Sequence, residues 1–97
     1  MRITCTIVAI LPLLVGVSAF GADAPPGASA CSGCHSASRG VDSAVPRLIG
    51  RDAAQLVSAM QAFRSGQRPS TVMDRIAKGF SDDEVKAIAA WYAAQKD

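Results

Sequence analysis

The pentapeptide Cys31-Ser32-Gly33-Cys34-His35 constrains the fold of this chain more than any other segment. Two thiols three residues apart lie on one helical turn, so both can bond to the same planar group. The pattern Cys-x-x-Cys-His is the one by which c-type haem is attached, with one thioether bond to each vinyl group. His35 then lies beside the iron and can supply the proximal imidazole ligand. The motif therefore predicts one covalently attached haem c.

Other uses of the cysteine pair fit the sequence less well. A structural zinc site needs four ligands, and the chain beyond residue 21 has no Cys or His outside the motif. A thioredoxin-like redox pair belongs in a βαβ unit, and no strand pattern is visible. A disulfide between Cys31 and Cys34 would close too short a loop to add much stability. A copper carrier that uses Cys, His and Met ligands stays open as an alternative.

Residues 1–21 are predicted to be a cleaved signal peptide and residues 22–97 the mature domain. Arg2 precedes an apolar run from Ile3 to Val17, and small residues follow. The run is shorter than the roughly 20 apolar residues that a membrane span needs, which disfavours a transmembrane anchor. We therefore expect export to the periplasm and no integral membrane segment in the mature chain.

Capping residues and apolar periodicity predict an all-α fold of three to four short helices wrapped around one haem. A first short helix over residues 27–35 carries the motif. A second is capped by Asp52 and runs to about residue 65, and a short piece follows at 74–78. A capping box at residues 81–84 opens a last helix of roughly 13 residues. Because so small a domain buries little of its own surface, the haem is expected to form the centre of the core.

Charge is distributed unevenly along the chain. Residues 39–78 contain seven Lys and Arg against three Asp, whereas residues 79–97 contain two Lys against four acidic residues. A small net charge with few aromatic residues does not match the basic footprint of a nucleic-acid-binding protein. The basic middle is either ordinary surface, with some arginines pairing the haem propionates, or a docking face for an acidic redox partner.

Two methionines are candidates for the second axial ligand of the iron. With no other His or Cys free, the choices are Met, Lys, water or nothing. Met60 falls on the apolar stripe of the second helix, where core packing is the simpler interpretation. Met73 follows a loop and can swing its thioether towards the iron, so we predict His35/Met73 ligation. Two strong axial ligands leave no open site, which favours electron transfer over substrate binding.

Three further residues could have either a structural or a functional role: Pro46, Trp91 and Tyr92. A backbone carbonyl near Pro46 could accept a hydrogen bond from the Nδ1–H of His35 and fix the ring. An ordinary loop proline is an equally good interpretation. Trp91 and Tyr92 are interpreted as packing aromatics of the last helix rather than as electron relays.

The chain resembles the small class I cytochromes c from Ala30 to about Gln95. Over residues 63–66 and 70–81 it is similar to the cytochrome subunit of flavocytochrome c sulfide dehydrogenase and to the free-standing monohaem relatives of that subunit. The resemblance implies that Met73 is the distal ligand and that the Pro46 carbonyl supports the proximal histidine.

A function follows from this resemblance. It implies a periplasmic electron carrier with one covalent haem c, with iron between His35 and Met73 and no catalytic residues of its own. The expected partners are redox proteins, such as the flavoprotein subunit of a sulfide dehydrogenase or a terminal oxidase, and not nucleic acid. The alternative is a haem-based sensor of small ligands, in which Met73 is displaced to open the iron.

Overall fold

Four helices joined by loops make up the described part of the chain, which a computed structural model gives for residues 23–38, 40 and 43–96. The helices are α1 (Ala28–Cys31), α2 (Ala53–Ser65), α3 (Met73–Ala77) and α4 (Asp82–Ala94). No strand occurs among these described residues, and the predicted all-α class is confirmed. The predicted signal peptide lies outside them. None of the described helices is long and apolar enough to cross a membrane.

The two long helices begin and end at residues that satisfy the backbone locally. The Asp52 carboxylate accepts a hydrogen bond from the Gln55 N–H at 3.0 Å and starts α2. Gly66 ends α2 with φ of 77°, a conformation that costs glycine little. At the start of α4, the Ser81 hydroxyl accepts from the Glu84 N–H at 3.2 Å, and the Glu84 carboxylate accepts from the Ser81 N–H at 2.9 Å. Both predicted helix starts are therefore confirmed.

The two short helices differ from their predicted bounds. α1 ends at Cys31 instead of continuing to residue 35. Beyond it the N–H groups of Gly33 and Cys34 donate to carbonyls three residues back, each at 3.2 Å, because the chain tightens into a turn. α3 begins at Met73, one residue before the predicted start.

The buried core is small and comes from α1, α3 and α4. Its members are Ala28, Ala77, Val85, Ala89 and Tyr92. Ile88, also on α4, is half-buried. None of the thirteen residues of α2 is buried, although α2 packs against both α3 and α4. The apolar side of α2 must therefore face something other than the protein core.

The N-terminal segment packs closely against the turn between α3 and α4. Gly27 has φ of 87°, and a methyl group built on it would lie 2.6 Å from an edge carbon of the Phe80 ring. Glycine is thus required at this position both by conformation and by space. Near the C-terminal end of α4, the Gly50 N–H donates to the Tyr92 carbonyl at 3.0 Å and anchors the end of the long loop that follows the motif.

Candidate haem site

A cavity of about 550 Å³ lies between the motif and helices α2, α3 and α4. That volume is in the range of pockets that bind cofactors and other small molecules. The contribution of α2 to its wall is apolar: Leu56, Ala59, Met60 and Phe63. The absence of buried residues in α2 is explained, since the helix turns its apolar side to the cavity. A second hollow beside Trp91, on the outer face of α4, contains no residue of the motif.

The two cysteines of the motif line the cavity as free thiols. Cys31 is half-buried, and its thiol lies 3.6 Å from the Gly27 carbonyl as a weak donor. Burial raises the pKa of the Cys31 thiol, and a backbone hydrogen bond lowers it by less. Cys34 is exposed.

His35 lines the same cavity, and its ring is fixed by a backbone group. Its Nδ1 lies 2.5 Å from the carbonyl oxygen of Pro46. Because a carbonyl can only accept, Nδ1 carries the proton, and Nε2 keeps the lone pair that can bind a metal. The His35 backbone N–H donates to the Cys31 carbonyl at 2.9 Å, which ties the histidine to the attachment turn. The hydrogen bond suggested for Pro46 in the sequence is thus present.

Both candidate thioethers also reach the cavity wall. Met73, the first residue of α3, and Met60, in the middle of α2, are half-buried and line the cavity that His35 lines. Met73 follows the loop formed by residues 68–72, all of which line the cavity as well. The structure therefore gathers Cys31, Cys34, His35 and two methionines around one space.

Two arginines of the wall were not singled out by the sequence. Arg51 and Arg68 line the cavity, and no Asp or Glu is among the described residues that do so. The Arg68 guanidinium lies 4.9 Å from the centroid of the Phe63 ring, a cation–π contact that holds the charge at the cavity edge. Two cations at a predominantly apolar wall match a flat apolar group that carries two carboxylates, as haem does.

Tyr92 combines packing with a polar role that the sequence did not suggest. Its side chain is 2% exposed and forms part of the cavity wall. The edge of the Trp91 ring meets it at a centroid distance of 4.9 Å. Its hydroxyl, however, donates to the Ala28 carbonyl at 2.5 Å and contacts the Ser32 hydroxyl at 2.8 Å. Only the fold could reveal these partners, since they lie 64 and 60 residues away.

The residues around the cavity fit haem c in chemistry and in size. Paired thiols suit its two vinyl groups, a neutral imidazole and a thioether suit its iron, and arginines suit its propionates. A helical fold with such a cavity defines a class of protein, the covalent haem c binders.

Known proteins with similar sequences belong to that class. Cytochrome c-554(548) of Halomonas halodenitrificans is 36% identical over 70 residues, which cover 68% of this chain and 84% of that protein. The cytochrome subunit of sulfide dehydrogenase of Chlorobaculum tepidum is 36% identical over 62 residues, 64% of this chain. The thiosulfate dehydrogenase electron acceptor of Stutzerimonas stutzeri is 40% identical over 67 residues, 65% of this chain. The chain belongs to the small cytochromes c, which carry electrons through haem c.

The match to the longer relatives is partial. The chain spans 56% of the length of the Chlorobaculum tepidum protein and 31% of that of the Stutzerimonas stutzeri protein. No model of a protein family matches the chain. The names of these relatives describe cytochromes, a cytochrome subunit and an electron acceptor, and none of them describes the catalytic partner.

Proposed function

We propose that this chain is a periplasmic one-electron carrier in which Cys31 and Cys34 attach haem c, and His35 and Met73 ligate its iron. The observation that carries the proposal is that these four residues line one cavity. When bound, haem c supplies a one-electron Fe(III)/Fe(II) couple. The fold would supply the covalent tether, the two ligands of the iron and a largely apolar cavity wall.

On the proximal side, the role of the protein is to hold one tautomer of His35. The bond from Nδ1–H to the Pro46 carbonyl, at 2.5 Å, restrains rotation of the ring and leaves Nε2 as the nitrogen that can bind a metal. With its ring held at Nδ1, His35 would present Nε2 to the iron in one fixed orientation. A ligand held in this way would favour fast electron transfer.

On the distal side, we assign Met73 rather than Met60. Met73 is the first residue of a five-residue helix and directly follows a loop, so its backbone can adjust to the position of a metal. Met60 lies in the middle of the thirteen residues of α2, between Leu56 and Phe63, where its side chain extends an apolar surface. Met60 is therefore proposed to pack against the face of the haem.

The surface around the cavity supports docking of a redox protein there. Three large apolar side chains that line the cavity are also exposed, Val45 (38%), Val72 (53%) and Ile76 (41%). The names of two relatives connect them with sulfide and thiosulfate dehydrogenases. We propose that the donor is a dehydrogenase of a reduced sulfur compound, in the first instance the flavoprotein subunit of a sulfide dehydrogenase.

Visible spectroscopy of the protein purified from periplasm tests the cofactor and its ligands. We expect a Soret band, a sharp reduced α-band and the weak ferric thioether band of His/Met ligation. Met73→Ala should abolish the thioether band and open the iron to carbon monoxide, whereas Met60→Ala should retain the band. The reverse result would transfer the ligand role to Met60, and the absence of a Soret band would refute haem binding altogether.

Rapid mixing with the flavoprotein subunit of a sulfide dehydrogenase tests the proposed donor. Sulfide in the presence of the flavoprotein should reduce the cytochrome at a rate that saturates with cytochrome concentration. Sulfide alone serves as the control. Equal rates with and without the flavoprotein would refute this donor and leave the haem assignment intact. Carbon monoxide binding by the unmodified protein would instead support the alternative of a small-ligand sensor.

Export is tested separately from electron transfer. Mass spectrometry of the protein from the periplasmic fraction should show a chain that begins at residue 22 and carries one haem. An intact residue 1–21 segment in the membrane fraction would refute cleavage. This part of the proposal concerns residues outside the described ones.

A further inference from the structure

The Tyr92 hydroxyl forms two hydrogen bonds, and their partners lie on either side of Cys31 in the sequence. Tyr92 contacts the Ala28 carbonyl at 2.5 Å and the Ser32 hydroxyl at 2.8 Å. Because the carbonyl can only accept, the Tyr92 hydroxyl donates a hydrogen bond to the Ala28 carbonyl, and the Ser32 hydroxyl therefore donates one to the Tyr92 oxygen. The direction of both bonds is thus determined by the chemistry of the groups.

The two contacts are placed on either side of the first attachment residue. Ala28 begins α1, three residues before Cys31, and Ser32 follows Cys31 directly as the first spacer of the motif. Tyr92 is 2% exposed and comes from α4, so α1 is fastened to a rigid thirteen-residue helix at both of its ends. Phenylalanine would pack equally well there but would leave the Ala28 carbonyl without this partner.

The fastened segment leads directly to the proximal histidine. The Cys31 carbonyl accepts from the N–H of Cys34 at 3.2 Å and from the N–H of His35 at 2.9 Å. A shift of α1 relative to α4 would therefore move the His35 backbone. At the ring, the Pro46 carbonyl resists that movement. The histidine is held from two directions, by Pro46 at its ring and by Tyr92 through the attachment turn.

We infer that Tyr92 and the spacer Ser32 form a positioning pair for the proximal ligand, one that determines the orientation of His35 relative to the haem. The inference rests on the proposed function, since it requires haem on Cys31 and Cys34 with His35 as ligand. It gives the first spacer residue of the motif, which is otherwise only a link between two cysteines, a role in the electronic properties of the site.

Paramagnetic NMR of the ferric holoprotein, together with the midpoint potential, tests the pair. In Tyr92→Phe we expect the hyperfine-shifted ring protons of His35 to move more than the Met73 methyl resonance, and the potential to shift. Ser32→Ala should shift both quantities in the same direction by a smaller amount. Ser32→Thr keeps a hydroxyl and should restore values close to those of the unmodified protein.

A matched control separates positioning from stability. Ser81→Ala removes the cap of α4, on the exposed side of the domain, and leaves the Tyr92 contacts untouched. It should lower the denaturant midpoint without moving the His35 resonances. If Tyr92→Phe and Ser32→Ala behave like Ser81→Ala, with lower stability and unchanged resonances and potential, the positioning role is refuted.

The variants allow failure of this inference to be distinguished from misfolding and from failure of the proposed function. Ser32 is exposed, so Ser32→Ala will fold even if Tyr92→Phe does not, and unchanged resonances in Ser32→Ala alone would overturn the inference. A lack of haem in the unmodified protein would refute the proposed function before any variant is made.

Discussion

Arg64 reaches from the end of α2 to the first residue of α4 and donates a hydrogen bond to the Asp82 carboxylate at 2.5 Å. A second bond from the same guanidinium, at 2.8 Å, goes to the Phe80 carbonyl. The Arg64 side chain therefore connects the end of α2 to the turn between α3 and α4. Phe80 itself lines the cavity, so this surface interaction holds a piece of the site.

Removing the charge of Asp82 should weaken this connection between α2 and α4. The resulting loss of stability should depend on pH and salt. The hydrogen bond from Arg64, together with its charge, holds the pKa of Asp82 below the ordinary value. A carboxyl with a lowered folded pKa stabilises the fold above its unfolded pKa and loses that contribution as pH falls through the folded pKa. We therefore expect Asp82→Asn to be less stable than the unmodified holoprotein at neutral pH and equal to it in acid.

Urea unfolding of the holoprotein at several pH values and salt concentrations measures this difference. Because the pair is solvent-exposed, the effect should be small and should shrink in high salt. Asp83→Asn, one residue further along α4, is the matched control and should lose less stability at neutral pH, because the Arg64 ion pair is made with Asp82. A difference between Asp82→Asn and the unmodified protein that persists at low pH would contradict the role given to the ion pair.

Ser81→Ala should destabilise the holoprotein by about 1 kcal/mol, the usual cost of removing a side-chain N-cap. The loss arises because the Glu84 N–H then has no partner at the helix start. The pKa of Glu84 is lowered by its hydrogen bonds with Ser81, so the stability given by this capping box should also fade as pH falls through that lowered pKa. Chemical denaturation at pH 7 and in acid measures both effects; Ser65→Ala, exposed at the end of α2, is a suitable control.

Gly27→Ala should be among the most destabilising alanine substitutions of a glycine in this chain. The new methyl would lie 2.6 Å from the Phe80 ring, and the backbone has φ of 87°. Gly66→Ala has the same conformational penalty, with φ of 77°, but open space around it. We expect a loss of roughly 1–2 kcal/mol for Gly66→Ala from the left-handed backbone alone. Overpacking should raise the loss for Gly27→Ala to about 2–4 kcal/mol.

A comparison of the unfolding free energies of the two glycine variants separates the cost of steric overlap from the cost of the left-handed backbone conformation. Equal losses would mean that the Phe80 ring moves aside without cost. A larger loss at Gly66 would contradict the packing described at the N-terminal segment.

The cavity arginines should raise the reduction potential of the bound haem. A positive charge near the iron disfavours the more positive ferric state, so Arg51→Gln and Arg68→Gln should each lower the midpoint potential, on the order of tens of millivolts. Arg68→Gln should also lose the contact with Phe63, about 0.5–1 kcal/mol of stability. Arg75→Gln is the control, because Arg75 is exposed on α3 and does not line the cavity. Spectroelectrochemistry measures the midpoint potentials of these variants. Equal shifts for Arg75→Gln and for the two cavity variants would contradict a specific role of the cavity arginines.

Features that depend on neighbours in sequence could be predicted well. The starts of α2 and α4 are encoded by Asp52 and by the Ser81–Glu84 box, whose hydrogen bonds span three residues. The motif likewise places its cysteines and histidine on one turn by spacing alone. The spacing of the motif predicts a longer α1, because it indicates which residues share one turn but not that the chain after Cys31 tightens into turns closed by bonds three residues back.

Features that depend on the fold could not be read from the sequence. Arg51 and Arg68 are two of several basic residues in the middle of the chain, and only the folded chain brings both to the cavity. Tyr92 looks like any aromatic residue on an apolar stripe, because its polar partners precede it by 60 residues or more. The choice between Met60 and Met73 remains a matter of prediction, since both reach the same wall.

Because α2 turns its apolar side to the cavity and buries none of its thirteen residues, haem would supply the apolar contacts that a core supplies in most small domains. A newly made chain that has not yet received haem would lack those contacts. Such a chain lacks the apolar burial that small domains need and should be an easy target for proteases. Attachment of haem would then protect the chain from proteolysis. We expect the cellular amount of this protein to follow the supply of haem and of the attachment machinery more closely than the rate of its synthesis.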